Sequence, residues 1–169
     1  PPGLVKKSPK PPQTIRGIMV PTTAEIPIAM VYVNEYPIWL MALPKDMAEI
    51  TPSFTHIKRA CLPHHMYDGV LTRLIAGEAH GLTSPIKTYS PMFYLDVLAK
   101  PEKEITRPNP EQECMIYLID GAIHLGDSAY QAGDVIILDD EQCITTSSHC
   151  RLLMLGGEAW PEAPHIDWN

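Results

Sequence analysis

Short apolar runs, each cut off before it could make a helix, are what most limit the folds open to this chain. Proline and glycine, 18 and 10 of the 169 residues, interrupt the sequence throughout. Turn signals recur at intervals of about 8–12 residues, and no sustained 3.6-residue period runs between them. The expected class is therefore all-β, a sandwich or closed barrel. With 45% hydrophobic residues, the chain can bury one good core and part of a second.

Read along the chain, Ile26 to Val33 and Tyr36 to Leu43 form a strand pair around Asn34-Glu35, stopped by Pro44-Lys45-Asp46. Ala48 to Leu62 reads as a connector. Leu71 to Gly77 is a strand ending on glycine, a loop follows through Gly81 to Pro85, and Met92 to Leu98 alternates as a strand. Cys114 to Ile119, the dipeptide Asp120-Gly121 and Ala122 to Leu125 read as a hairpin. Gly126-Asp127 is a further break, Gly133-Asp134 precedes Val135 to Leu138, and Arg151 to Leu155 closes the series.

The formal net charge of -7 argues against nucleic-acid binding driven by phosphate neutralisation. Cys61, Cys114, Cys143 and Cys150 form no CxxC pair, and no secretory apolar segment is found, so reduced thiols are expected. No apolar run is long enough to span a bilayer. The expectation is a soluble cytoplasmic protein. Residues 1–14, with Lys6-Lys7-Ser8-Pro9-Lys10-Pro11-Pro12, read as an extended basic, proline-rich arm.

A strand ending in glycine, Cys114 to Gly121, followed by Gly133-Asp134 before an apolar strand, resembles the cupin pattern. Longer stretches resemble the pirin family in particular. They are Pro37-Ile38-Trp39-Leu40-Met41-Ala42-Leu43-Pro44, then Pro52-Ser53-Phe54-Thr55-His56, then Leu74-Ile75-Ala76-Gly77-Glu78-Ala79-His80-Gly81 with Ser84-Pro85. Leu155-Gly156-Gly157-Glu158 and His165-Ile166-Asp167-Trp168-Asn169 complete an ordered series. The resemblance implies a jelly-roll cupin domain over residues 63–169, similar to the C-terminal domain of a pirin. It implies that residues 15–62 are a remnant of the N-terminal cupin domain, adding a pair of strands, with its connector.

The resemblance also implies where a metal would be held. Pirins carry a metal, usually iron, in the N-terminal domain, on two histidines, a glutamate and a later histidine. At the corresponding positions of the C-terminal domain the glutamate is Cys114 and the last histidine is Ile144. The paired histidines fall at Arg107 and Asn109, or at Pro108 and Pro110. In the remnant, Arg16-Gly17-Ile18-Met19 matches the lead-in to the second ligand pair, yet only Glu25 is left, with Thr23 in the histidine position. No metal site and no cofactor are expected.

Other histidines have simpler readings. His64 and His65 are placed in the connector after Pro63, where a surface position is expected, and as neighbours they would face opposite ways on a strand and rarely chelate together. His56 is assigned to packing. His124, His149 and Cys150 stand near the last strands and are a weaker metal candidate. Glu78 and His80 could exchange a proton, but their setting between glycines favours a turn. Asp139-Asp140-Glu141 reads as a solvated loop. A metal-free barrel can still bind a small molecule, and Tyr94, Asp96, Arg107, Asn109 and Cys114 are the polar residues expected to line such a pocket.

The functional expectation is a non-catalytic, pirin-like binding or regulatory module that works through a protein partner or as a homodimer. Direct contact with nucleic acid or membrane is not expected. The alternative is one part of a quercetin 2,3-dioxygenase-type oxidoreductase whose catalytic half lies outside this chain. A bare edge on the strands between Ile26 and Leu43 would also invite pairing with a second copy.

Overall fold

The computed structural model describes residues 18–19, 28–33, 36–41, 43–47, 49–140 and 143–160. The arm over 1–14, Thr23, Glu25 and the closing stretch His165 to Asn169 lie outside them. Strands dominate: β1 (Ile18–Met19), β2 (Ile28–Val33), β3 (Tyr36–Met41), β4 (His64–Tyr67), β5 (Val70–Ala79), β6 (Leu82–Thr83) and β7 (Met92–Ala99). They continue with β8 (Glu104–Thr106), β9 (Glu113–Asp120), β10 (Ala122–Leu125), β11 (Ser128–Gln131), β12 (Val135–Leu138), β13 (Cys143–Thr146) and β14 (Cys150–Gly157). Among the described residues the only helical turns are short 3-10 segments at Lys45–Met47 and Arg59–Cys61.

All pairings are antiparallel. β1, β2 and β3 make a sheet of their own, with Val33 opposite Tyr36; the expected turn at Asn34-Glu35 lies outside the described residues. A large sheet runs β12-β9-β14-β7-β5-β4, with β6 attached to β5, and a small sheet runs β11-β10-β13-β8. These last two pack face to face as a jelly-roll sandwich. The core between them takes Phe93, Leu95 and Val97 from β7, Cys114, Ile116 and Leu118 from β9, and Leu152 and Met154 from β14. The small sheet contributes Ile105, Ile123, Leu125 and Ile144. Because side chains alternate along a strand, the intervening residues of the large sheet face away from this core. There Met115, Leu153 and Leu155 are buried in a second cluster with Tyr94, Tyr117, Ile119 and Val135.

The structure corrects the assignment of strands and turns at two places. First, β9 and β10 are not a hairpin: β9 pairs with β12 and β14, while β10 pairs with β11 and β13. The Asp120-Gly121 step is a corner that carries the chain between sheets. A side chain at Gly121 would lie 2.2 Å from the His149 carbonyl oxygen. The true hairpin comes one turn later, with Leu125 opposite Ser128 across Gly126-Asp127. Second, His64 and His65 belong to a strand. β4 and β5 are joined by Asp68-Gly69, both at positive φ (45° and 81°), as a tight primed hairpin turn requires.

Gly77 fixes the path of β5. The register against β7 shifts between Leu74 and Ala76, leaving Ile75 as the inserted residue of a bulge. Ser84 Oγ donates to the Ile75 carbonyl at 2.5 Å, and the Ser84 N–H donates to the Gly77 carbonyl at 2.9 Å, tying the following turn to the bulge. At φ +77° a Cβ on Gly77 would lie 1.8 Å from the Met92 carbonyl oxygen, which is backbone and cannot swing aside. Gly81 has nearly the same φ, +76°, but a Cβ there would meet nothing within 4 Å. Gly81→Ala should therefore cost only the left-handed strain, about 1–2 kcal/mol. Gly77→Ala adds a main-chain clash and should cost roughly 3 kcal/mol or more. Urea unfolding of both variants checks the contrast, and equal losses would remove the close-approach argument.

Candidate functional site

The chain leaves the small sheet after Thr106 and enters the large one at Glu113, so residues 107–112 cross between the two layers. This crossing holds two buried polar residues, Arg107 and Gln112. Arg107 is 5% exposed. Its Nη1 donates to the Asp139 carbonyl at 2.8 Å, just beyond the end of β12, and its Nη2 donates to the Gln112 carbonyl. The guanidinium thus clamps two turns together. Its Nε is buried and has no hydrogen-bond partner. Asn109 stands in the crossing, where its Oδ1 accepts the Glu111 N–H at 3.0 Å and its carbonyl accepts the Gln112 N–H.

Cys114 follows at the start of β9 and is fully buried, opposite Leu138 of β12. Burial pushes its thiol up to about 12, an effect the Arg107 charge partly opposes. The group is therefore a neutral thiol at physiological pH. Ile144, on β13, is also fully buried and belongs to the same apolar cluster.

Tyr94 and Asp96 do not lie on the same side of the large sheet as Cys114, contrary to the expectation from sequence. β7 turns Phe93, Leu95 and Val97 into the core, so Tyr94 and Asp96 face the other side of the large sheet. Asp96 there binds Arg73 Nη1 at 3.0 Å, Arg151 Nε at 2.8 Å and Arg151 Nη2 at 3.2 Å. Its hydrogen bond to Asp96 is the main reason that the Arg151 pKa is raised. Of the residues named from the sequence, Arg107 and Cys114 come together, while Asn109 stands in the same crossing as Arg107 with its oxygen turned to the Glu111 N–H. Arg73, Arg151 and Gln112 escaped the sequence reading. The signal for the arginines was present, because Leu74 and Leu152 alternate with them and point inward.

The remaining candidates are dispersed. His64 is exposed on β4, where its Nδ1 lies 3.2 Å from the Leu62 carbonyl oxygen. His65 meets His80 edge-on, with ring centroids 5.7 Å apart. The His80 pKa is lowered, first by burial and then by His65. His80 takes positive φ (51°) in the turn between β5 and β6, and Glu78 is exposed. His56, His124 and His149 are exposed while Cys150 is buried. Among the described residues no three His, Cys, Asp or Glu side chains are placed to hold a metal ion.

Iron does not fit the positions that the cupin pattern assigns to it. Cys114 and Ile144 are enclosed by apolar neighbours, and Asn109 spends its oxygen on a turn. Taking Pro108 and Pro110 instead supplies no ligand. A cation at this end of the barrel would also stand beside a buried guanidinium of the same sign.

Two outcomes follow from these geometries. Asp96 side-chain exposure is 6% and that of Arg73 is 11%, so Asp96→Asn leaves a buried cation without its partner and should cost roughly 3 kcal/mol. Arg151 is 45% exposed, and Arg151→Gln should cost no more than about 1 kcal/mol. Urea midpoints of the two variants should separate accordingly. With iodoacetamide at neutral pH, Cys61 should react before Cys143, whose thiol pKa is raised by burial and by Glu104. Cys114 and Cys150 should be alkylated only on unfolding. Rapid labelling of Cys114 in the folded protein would contradict its placement.

Comparison with known proteins agrees with this architecture. The family model of the pirin C-terminal cupin domain matches residues 94–169. A pirin-like protein of Caulobacter vibrioides is 34% identical over 133 residues, 76% of this chain and 46% of that protein. Pirin of Homo sapiens is 30% identical over 118 residues, 69% of this chain and 39% of its own length. A crystal structure of quercetin 2,3-dioxygenase from Acinetobacter baumannii superposes with a TM-score of 0.67 at 29% identity, covering 78% of this chain and 44% of that one. The chain thus spans about half, or less, of the relatives it matches. An antiparallel jelly roll, a matched C-terminal domain and relatives of one kind converge: this chain is a member of the pirin family and carries its C-terminal cupin domain.

Proposed function

We propose that this chain is a pirin-like cupin module without metal chemistry, acting by binding rather than by catalysis. The observation that carries the reading is the burial of the Arg107 guanidinium at the end of the barrel, beside Cys114, where a metal site would need anionic or neutral ligands. Burial of Cys114 and Ile144 in the core supports it, since neither side chain is available to solvent or to an ion from solvent. The charge of -7 and the exposed Phe54, Met66 and Tyr67 are consistent with a protein partner, a second copy included, rather than with nucleic acid.

The relatives include a protein named for quercetin 2,3-dioxygenase activity, so oxidation of a flavonol is the reading to test against. Purified protein is expected to hold far less than one equivalent of metal by mass spectrometry and to show no rise in melting temperature with added iron or nickel. Stoichiometric metal, or a metal-dependent rise in stability, would overturn the proposal and put the dioxygenase reading in its place.

A further inference from the structure

We propose that Arg107 anchors an anion site at the end of the jelly roll, suited to a small carboxylate or inorganic oxyanion. The inference deepens the binding-module reading and rests on it. Its starting point is a charge without a counter-charge. Arg107 is 5% exposed, and among the described residues no carboxylate forms an ion pair with it. Both of its hydrogen-bonded nitrogens meet backbone carbonyls, which are dipoles and leave the net charge in place. Its Nε is buried without an acceptor.

The same domain shows how a buried guanidinium is treated when its role is structural. Arg73 is 9% exposed, and its Nη1 is 3.0 Å from the Asp96 carboxylate. Arg107 has no equivalent. Glu111, four residues on, is exposed and forms no ion pair with Arg107. The Cys114 thiol beside it is neutral. A buried ion without an opposite charge costs several kcal/mol, a cost that an anion from solution would relieve.

The geometry also sets the class of ligand. A guanidinium presents a planar fork of donors that matches the oxygens of a carboxylate or a phosphate. The Cys114 thiol lies beside Arg107, Leu138 stands opposite Cys114 in the sheet, and both side chains are buried. They favour a compact anion over a large polar molecule.

The test is thermal unfolding of the full chain, titrated with formate and acetate in one arm and phosphate and sulfate in another. Ionic strength is held constant with chloride. Saturable stabilisation is expected, about 4 °C at ten times Kd, in whichever arm holds the matching chemistry. Arg107→Gln should lose it, with a residual shift below about 1 °C. Stabilisation that persists in Arg107→Gln, or none in the wild-type chain, would overturn the site. If Arg107→Gln fails to fold, arginine Nε–H resonances of the wild-type chain decide instead. A saturable displacement of the Arg107 signal supports the site, and an unmoved signal overturns it. Metal is assayed on the same sample. No metal and no anion effect removes the anion site alone, whereas bound metal removes the metal-free reading whatever the anions do.

Discussion

Everything in the sandwich depends on β14 being paired along both edges and buried on both faces. It pairs with β7 from Cys150 to Gly157 and with β9 from Arg151 to Gly157. Leu152 and Met154 enter the main core, while Leu153 and Leu155 enter the cluster on the opposite side. A one-residue slip would exchange these sets and would move Arg151 off the face that carries Asp96. Register is therefore held by packing on two sides and by charge on one of them.

The arginines show how one residue type serves different ends in one domain. Arg73 and Arg151 share Asp96 and tie β5 to β14 across β7. Arg107 instead ties turns together through carbonyl oxygens and keeps its charge uncompensated within the described chain. Stability explains the first arrangement without further assumption. It does not explain the second, because an apolar residue of similar size could fill the crossing without burying a charge.

Much of the architecture is legible in the sequence, and the failures have physical causes. β7, β9, β12 and β14 are evident because they are apolar runs between turn residues. β8 and β13 are short and alternate, with Ile105 and Ile144 as their buried members, and so lack an apolar run to announce them. The false hairpin at Gly121 arises because a turn dipeptide states that the chain bends, not which neighbour the next strand will find. Residue type alone points Tyr94 and Asp96 inward, although the alternation of Phe93, Leu95 and Val97 already fixes the opposite direction. At the site, the resemblance to the cupin pattern leads to Cys114 and Ile144, and both are buried. The clamp that Arg107 forms is not legible in the sequence, because its acceptors are main-chain carbonyls that leave no trace in residue identity.

The position of β14 has a bearing on the order in which this domain can assemble as it is made. The strand that fills the gap between β7 and β9 is the last of the described strands to leave the ribosome. Until residues 150–157 emerge, β7 and β9 each present an open edge, and half of each apolar face lacks its neighbour. Local hairpins such as β4–β5 and β10–β11 can form early, but the sheet that unites them waits for its centre. During synthesis, then, protection by chaperones matters most over the interval just before residues 150–157 emerge, when the large sheet still lacks its centre.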